Sequence, residues 1–439
     1  MQTIDLPASP RDAPRRNYRW ELLALLCGAF FLHQGDRAIF GVVLTSIRAD
    51  LGLSDQQLGM IGTALFATLA VMMPLAGYLG DIWSRKWIIT ASVLFWSGAT
   101  MVTGLAQGVL GLILSRSVAT AGGESFYAPA AYPLLAAFHQ KTRTLAMSIH
   151  QAALYGGVIV GGIVGGAIAG HWGWRSSFYV FGGAGIALGL ILAIRLKDAP
   201  RPLLAEKQDP SNRVRPGEAL AVVFRTPTAL LLTVGFTAIV LVNNAYVVWA
   251  PAFVEEKFGL SVADAGGYSM LYHHLAALGG VLAGGRLSDA MVGRRRRFRL
   301  ELQATAMFLG VPAILWMGLA GDLTATWIAM ATLGIFRGLY ESNTHASLFD
   351  VIPPRYRASA VGVMVMIAFL IGSVSPWLLG QCRALFPVGR GLSYGFAALS
   401  SVYLIGATAV LLAASFTFHR DYFRELPLPD AEAPEEDRL

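Results

Sequence analysis

Long apolar segments alternate with short polar ones along the whole chain. Twelve segments approach the ~20 residues with which a helix crosses a bilayer. They lie near residues 20–44, 58–80, 87–107, 109–135, 145–169, 174–194, 227–250, 266–288, 300–320, 324–349, 358–380 and 392–416. We therefore predict an all-α polytopic membrane protein with two six-helix halves, 20–194 and 227–416. A central loop (195–226) joins the halves, and polar tails (1–19 and 417–439) flank them.

Composition excludes several classes of protein. Of the 439 residues, 55% are hydrophobic and only 14% are charged, whereas a soluble domain has about 25% charged residues. The sequence lacks the phosphate-binding loop of ATP-driven pumps and the motifs of soluble enzymes. Cys27 and Cys382 have neither disulfide nor metal-ligand spacing. We therefore predict no enzymatic activity, no metal and no cofactor.

Lys and Arg residues are distributed unevenly among the polar connections. Connections on the same side as the termini hold most of the 34, and the other side holds only Arg48, Arg175, Lys257, Arg383 and Arg390. Because cytoplasmic loops carry the excess of Lys and Arg, both termini are predicted to be cytoplasmic, in a cell inner or plasma membrane. The run 294–297 of four arginines is expected to set orientation and contact anionic lipid, not nucleic acid.

The first and fourth segments contain charged residues, which are costly in hydrocarbon. They indicate either a functional site or a buried charge that fixes the packing of two helices. On one α-helix, Arg116 and Glu124 are about 12 Å apart in rise and roughly 80° apart around the axis. Asp36 and Arg116 fall at similar depth, so we predict that they pair. Glu124 has no partner in its own segment, and burial favours its protonated form. We predict that Glu124 carries the coupled proton, with Asp36 coupled through Arg116, and that Arg37 and Arg116 bind an anion.

The tenth segment carries a second charged pair. Arg337 and Glu341 are four residues apart, so they share one helix face and are predicted to form an ion pair. The pair either neutralises itself as a structural element or faces the cavity. In the second case Arg337 contacts a carboxylate or phosphate, and Glu341 is the second candidate for the proton.

Uncharged polar residues in the segments are candidates for substrate specificity. An amide or a phenol can bind substrate hydroxyls, but it can equally bond one helix to another. His273 and His274 are adjacent and point about 100° apart, so at most one is expected to face the cavity, and they are not a metal pair. The candidate specificity contacts are Gln34, Gln151, Asn243, Asn244, Tyr246 and Asn343.

A short motif recurs at equivalent places in the two halves. Glycine, aspartate and arginine follow the second segment at Gly77, Asp81 and Arg85, and follow the eighth at Gly285, Asp289 and Arg294. Such repeats are typical of carriers whose halves rock about a central site. The residues are either topology charges or a latch that holds one conformation closed, with Asp81 at a helix N-terminus.

With this motif the chain resembles the major facilitator superfamily, whose loop signature is Gly-x-Leu-x-Asp-Arg-x-Gly-Arg-Lys. The match holds at Gly77, Leu79, Asp81, Arg85 and Lys86, and it departs at the positions of the first Arg and the second Gly. The resemblance extends over the whole length. It implies twelve transmembrane helices in two pseudo-symmetric halves around a central cavity.

Within that superfamily, the Asp-Arg pair of the first segment and Arg-x7-Glu of the fourth are most similar to the anion:cation symporters. By this resemblance Asp36, Arg37, Arg116 and Glu124 are coupling and substrate residues. Gln34 departs from the family, which usually has an aromatic residue there. Bacterial relatives of the spinster lysolipid transporters share the Asp-Arg and Gly-Glu features.

The predicted function is therefore transport of a small organic anion with protons, or with sodium, by a monomer in a lipid bilayer. One alternative is a spinster-like exporter of lysolipids or drugs driven by proton exchange. A non-transporting membrane sensor and a membrane-embedded enzyme are more remote alternatives.

Overall fold

The computed structural model describes residues 18–139, 142–198, 216–387 and 389–422. Within these ranges the regular structure is entirely helical. Both predicted tails and the central loop lie largely outside the described residues, so the predicted domain limits stay predictions. A short helix, Pro216–Arg225, leads from the central loop into the second half.

Six helical spans form the first half. They are α1 (Tyr18–Val42), α2 (Asp55–Ile82), α3 (Arg85–Thr103), α4 (in four pieces, Val109–Leu112, Ile113–Thr120, Ala121–Glu124 and Tyr127–Phe138), α5 (Arg143–Trp172) and α6 (Trp174–Arg195). A further helix, Leu44–Leu51, connects α1 to α2. Ser54 begins α2 with a reciprocal cap, in which its hydroxyl accepts from the Gln57 backbone and the Gln57 side chain accepts from the Ser54 backbone.

Six helical spans form the second half. They are α7 (Pro227–Phe258), α8 (Val262–Val292), α9 (Phe298–Leu319), α10 (Leu323–Glu341, continued by Thr344–Phe349), α11 (Arg357–Gly372, continued by Ser375–Leu385) and α12 (Gly391–Leu412, continued by Ala413–Thr417 and Phe418–Asp421). Gly259 ends α7 with a φ of 68°, a left-handed conformation that glycine adopts without strain. Ser261 then caps α8 by accepting from the backbone N–H of Asp264.

The predicted twelve-span, all-α architecture is confirmed. Eight helices of the described chain are long and apolar enough to cross a membrane by length and composition alone. The remaining spans, α1, α3, α4 and α10, are shorter, interrupted or richer in charged residues. Three of these four carry the charged pairs of the sequence analysis, so the same residues that lower their hydropathy define the candidate site.

The fourth span is not the uniform α-helix assumed in the sequence analysis. Its segment Ile113–Thr120, which contains Arg116, is a wider π-helix. Hydroxyl groups satisfy backbone carbonyls around it: Ser117 Oγ donates to the Ile61 carbonyl of α2 at 2.7 Å, and Thr120 Oγ1 donates to the Ser115 carbonyl at 2.9 Å. Because a π-turn holds more residues than an α-turn, the angle predicted between Arg116 and Glu124 does not apply.

The largest contacts between the two halves are those of α1 with α7, α2 with α11 and α5 with α8. Glycines let the backbones approach closely at these contacts. A Cβ added at Gly41 would lie 2.0 Å from the Val247 carbonyl oxygen, and one at Gly162 would lie 2.7 Å from the Gly266 carbonyl oxygen. Both contacts lie toward the end of the molecule opposite the one where α1 begins and α12 ends. We call these the opposite end and the terminal end.

A buried charge cluster also joins the halves at the opposite end. Arg383, at the end of α11, contacts both Asp55 at the start of α2 and Glu256 near the end of α7. The three side chains are only 6%, 11% and 12% exposed, respectively. Thr45 Oγ1 adds a 2.7 Å hydrogen bond to Glu255 across the same interface. The molecule is therefore closed at the opposite end.

Candidate functional site

Asp36 and Arg116 form a buried ion pair, as the sequence predicted. Nη1 of Arg116 donates to Oδ2 of Asp36 at 2.8 Å, and Nη2 donates to the Asp36 backbone carbonyl, also at 2.8 Å. Thr100 Oγ1 of α3 donates to the same Oδ2 at 2.9 Å. The Arg116 side chain is 0% exposed. The pair therefore holds α1, α3 and α4 together and neutralises both charges away from water.

Glu124 has no ion-pair partner among the described residues of its own helix, but it pairs with a residue of another helix, which the sequence did not predict. Nε of Arg37 donates to Oε2 of Glu124 at 2.8 Å, and Nε2 of His33 lies 3.5 Å from the same oxygen. The Glu124 side chain is fully buried, while Arg37 is 18% exposed. Adjacent residues of α1, Asp36 and Arg37, thus bind opposite charges of α4. The four charges sum to zero.

We call Asp36, Arg37, Arg116 and Glu124, with the adjacent His33, the charged cluster. Several of its donor and acceptor atoms are left without a hydrogen bond in the described part of the chain. Four buried atoms have no hydrogen-bond partner among the described residues: Oδ1 of Asp36, Nε of Arg116, Oε1 of Glu124 and Nε2 of His33. Leaving such a buried group unsatisfied costs about 1–3 kcal/mol. The cluster is therefore suited to take up a proton, a water molecule or a polar group of a ligand.

A layer of aromatic and imidazole rings lies beside Glu124, and the sequence analysis gave it no role. The ring of Phe30 stacks on His150 at a centroid distance of 4.5 Å and on His33 at 5.8 Å. The hydroxyl of Tyr127 donates to a backbone carbonyl of α1 at 2.6 Å and can therefore accept a hydrogen bond from Nε2 of His150 at 3.0 Å. His33 and Tyr127 lie three residues from Asp36 and Glu124 along their helices, and that spacing could have revealed them.

The second half contributes a matching pair in α10. Nε of Arg337 donates to Oε1 of Glu341 at 2.9 Å, which confirms the predicted pair. Nη1 of Arg337 donates to Nε2 of His273 at 3.2 Å, so His273 lies beside Arg337, whereas His274 bonds to a carbonyl of its own helix. Tyr155 of α5 donates to the other oxygen of Glu341 at 3.0 Å. This hydrogen bond joins the two halves, and the sequence did not predict it.

Three specificity candidates, Asn243, Asn244 and Tyr246, lie in α7. The Tyr246 hydroxyl has a hydrogen-bond partner, whereas the two asparagines have polar atoms without one in the part of the chain that the structure describes. The Tyr246 hydroxyl donates to the Ser269 carbonyl of α8 at 2.6 Å and its ring stacks on His273 at 4.2 Å. In this conformation Tyr246 therefore joins helices and does not offer its phenol to a substrate. Among the described residues, Oδ1 of Asn243 and both polar side-chain atoms of the buried Asn244 have no hydrogen-bond partner.

The remaining specificity candidates have short-range partners. Gln34 Nε2 donates to Nδ1 of His33 at 3.0 Å. Because that ring nitrogen accepts, the other nitrogen of His33 carries the hydrogen and faces Glu124. Gln151 accepts a hydrogen bond of 3.5 Å from a tyrosine of α4, and Asn343 donates to the neighbouring serine at 2.9 Å. Gln34 thus bonds to His33, which lies 3.5 Å from Glu124.

The proposed latch residues lie away from the charged cluster. Asp289 and Arg294 are exposed at the terminal end, and Arg85 is half-buried at the start of α3. No described atom would lie within 4 Å of a Cβ added at Gly77. The side chain of Asp81 lies outside the described residues. The latch therefore stays a prediction.

Comparison with known proteins agrees with this architecture. The model of the Major Facilitator Superfamily matches residues 26–376. Protein spinster homolog 1 of Rattus norvegicus is 27% identical over 436 residues, which cover 91% of this chain and 81% of that protein. A protein of Cupriavidus necator described as a probable sulfoacetate transporter is 26% identical over 405 residues, which cover 89% and 92%.

Solved structures share the fold. A bacterial homolog to the human lysosomal transporter Spinster, in an inward-facing and unoccupied conformation, gives a TM-score of 0.83 at 24% identity, covering 94% of this chain and 100% of that one. A D-xylose–proton symporter gives 0.70 at 16% identity, covering 91% and 98%. Because the family model covers most of the chain and these relatives are transporters, the chain belongs to the Major Facilitator Superfamily and is a polytopic membrane transporter, not an enzyme.

Proposed function

We propose that this transporter moves an organic anion, such as a sugar acid or another carboxylate, together with protons by alternating access. The observation that carries the proposal is the Arg37–Glu124 pair. Its arginine is partly exposed, its acid is fully buried, and one acid oxygen has no hydrogen-bond partner among the described residues. A proton on Glu124 leaves Arg37 with an uncompensated charge. A carboxylate can then bind Arg37 through two parallel hydrogen bonds.

Charge balance links the two ligands. With all four residues ionised, Asp36, Arg37, Arg116 and Glu124 carry no net charge, and an anion entering this buried cluster would make it negative. Protonation of Glu124 raises the net charge by one, and one bound monoanion restores neutrality. Because uncompensated charge inside a membrane is costly, proton and anion binding favour each other.

Glu124 suits the proton better than Asp36 does. The Asp36 carboxylate accepts from Arg116 and Thr100, and Arg116 is further held by the Asp36 backbone. Glu124 accepts a single close hydrogen bond, from Arg37. We assign Asp36 the supporting role of holding Arg116 in place.

A second proton-binding acid in α10 extends the scheme. Glu341 is 25% exposed and bonds to both Arg337 and Tyr155. Its protonation would free Arg337 for an anion and weaken the hydrogen bond to the other half. We therefore keep Glu341 as the second coupling residue, with Gln34, Gln151, Asn243, Asn244 and Asn343 as specificity contacts. Tyr246 belongs to that set only if the helices separate.

The relative described as a probable sulfoacetate transporter supports a small organic anion as substrate. The proposal includes a monomer in the inner or plasma membrane with cytoplasmic termini, and protons as the coupling ion, with sodium as the alternative.

A second candidate function is spinster-like export of a lysolipid or drug by proton exchange. The spinster proteins and a Mycolicibacterium smegmatis efflux pump among the relatives favour it.

The test uses purified protein in liposomes that contain a pH-sensitive dye. Sugar acids, small carboxylates, sulfonates, neutral sugars and lysolipids are added in turn. We expect acidification with one class of hydrophilic anion, and its loss in Glu124→Gln, with anion exchange retained. Glu21→Gln is the matched control, because Glu21 pairs with Arg195 away from the site. Proton movement with lysolipids alone would select the exporter, and equal proton-driven uptake by Glu124→Gln would refute the assignment of the proton.

A further inference from the structure

A basic cavity of about 410 Å³ lies at the terminal end of the second half, apart from the charged cluster between the helices. One wall is the connection between α8 and α9, and the other is the end of α12. We call it the basic pocket. Its lining residues are Arg294, Arg295, Arg296, Arg297, Phe418, His419 and Tyr422.

The basic pocket has more positive than negative charge. Arg295 and Arg297 share one acid, Glu301, at 3.3 and 2.7 Å. Arg296 lies with its guanidinium 5.4 Å from the centre of the Tyr422 ring. Among the described residues no carboxylate lies within ion-pair distance of Arg294 or Arg296. The pocket therefore presents two arginines that can bind an anionic group.

The sequence that follows the pocket has the opposite charge. Tyr422 lines the pocket, and the next 17 residues, 423–439, contain six acids against two arginines. The acids are Glu425, Asp430, Glu432, Glu435, Glu436 and Asp437. We propose that the acidic segment 425–437 of this same chain binds in the basic pocket, with its carboxylates on Arg294 and Arg296.

Chain length makes this contact accessible. An extended chain spans at most ~3.3–3.6 Å per residue, so Glu425 reaches about 10 Å from Tyr422, and later acids reach farther. Because the segment is attached at the rim of the pocket, its effective concentration there is in the millimolar range. Several weak ion pairs, each worth about 0.2–1 kcal/mol when exposed, can then hold the segment.

The bound segment would contact a residue of the proposed latch. Arg294 belongs to the repeated motif that we propose as a latch, and the pocket joins the α8–α9 connection to the end of α12. Carboxylates on Arg294 would take that cation away from the latch and restrain the connection. This inference does not depend on the identity of the substrate or on the role of Glu124.

The experiment measures a distance in the full chain. Spin labels are placed at Val292→Cys, at the end of α8, and at Ala433→Cys, in a chain carrying Cys27→Ser and Cys382→Ser. In vesicles of neutral lipid we expect a narrow, short distance distribution. The pair Arg294→Gln and Arg296→Gln should broaden it, as should 1 M salt, which shortens the screening length to about 3 Å. Arg355→Gln with Arg390→Gln, exposed elsewhere, is the matched control.

A charge exchange separates attraction from loss of folding. Arg294→Glu with Arg296→Glu should abolish the narrow component, and adding Glu432→Lys, Glu435→Lys and Glu436→Lys should restore it. A wild-type distribution that is broad in neutral vesicles, or that survives the double glutamine substitution, would overturn the proposal. So would loss of the narrow component in phosphatidylglycerol vesicles, because lipid headgroups would then be the preferred occupants.

Discussion

Replacement of Arg383 by glutamine tests whether the buried charges at the opposite end hold the two halves together. In the closed state Arg383 contacts Asp55 of the first half and Glu256 of the second. The substitution leaves both acids buried, with Arg48 still 3.0 Å from Asp55. When the halves separate, the acids reach water. The cost of the substitution therefore falls mainly on the closed state.

The magnitude follows from the burial of these groups. Removing one partner of a buried ion pair costs about 3–5 kcal/mol, because the other charge is left uncompensated. The three side chains are 6–12% exposed, so we take the lower figure of about 3 kcal/mol. Each 1.4 kcal/mol is a factor of ten. The ratio of open to closed molecules at the opposite end should therefore rise by about 100-fold.

A buried cysteine reports this ratio. Val248 is 3% exposed and packs against Gly62 of the other half, so Val248→Cys in a chain with Cys27→Ser and Cys382→Ser should react with a water-soluble maleimide only when the opposite end opens. We expect a faster reaction with Arg383→Gln and no change with Arg390→Gln, an exposed arginine of the next connection. Removing Asp55, Glu256 and Arg383 charges together should restore much of the slow rate. An unchanged rate in Arg383→Gln would refute the reasoning.

Three further predictions concern single contacts. Arg116→Gln leaves a buried carboxylate without its ion-pair partner and should lower the thermal unfolding midpoint well below that of the wild type; equal midpoints would contradict the observed burial. Gly41→Ala places a methyl group 2.0 Å from a carbonyl oxygen of α7 and should open the opposite end in the maleimide assay, while Gly170→Ala, with open space around it, should not. Tyr155→Phe removes the 3.0 Å hydrogen bond to Glu341, worth about 1.5–3 kcal/mol to a charged group, and should speed the exchange between conformations in single-molecule measurements.

Part of the site could be predicted from the sequence because depth in a membrane is nearly one-dimensional. Helix direction and position along the helix placed Asp36 and Arg116 at the same level, and the structure pairs them. The same reasoning placed Arg337 and Glu341 on one helix face, which needs no tertiary information.

The other contacts of the site depend on how each helix is rotated about its axis relative to its neighbours. The depth of a residue in the membrane does not reveal that rotation. Arg37 follows Asp36 directly in α1, yet it pairs with a different residue of α4, Glu124, and the sequence could not assign that partner. The Tyr155–Glu341 contact joins residues from different halves. It depends on the packing of α5 and α10 around the interface, so spacing along the chain gives no sign of it.

The π-helical segment of α4 lies between the start of the helix and Glu124, so its winding sets how residues on either side of it are rotated about the helix axis. A π-turn closes its hydrogen bond one residue later than an α-turn, so it stores one extra residue of helix. If Ile113–Thr120 rewound as α-helix, the part of α4 before this segment would turn by about 100° relative to Glu124, and Arg116, inside the segment, would turn by less. One local rewinding would thus change which side chain of α4 faces Asp36, while the part of α4 after Glu124 stays in place. The Asp36–Arg116 pair and the Arg37–Glu124 pair, which share α4, would then be oriented independently.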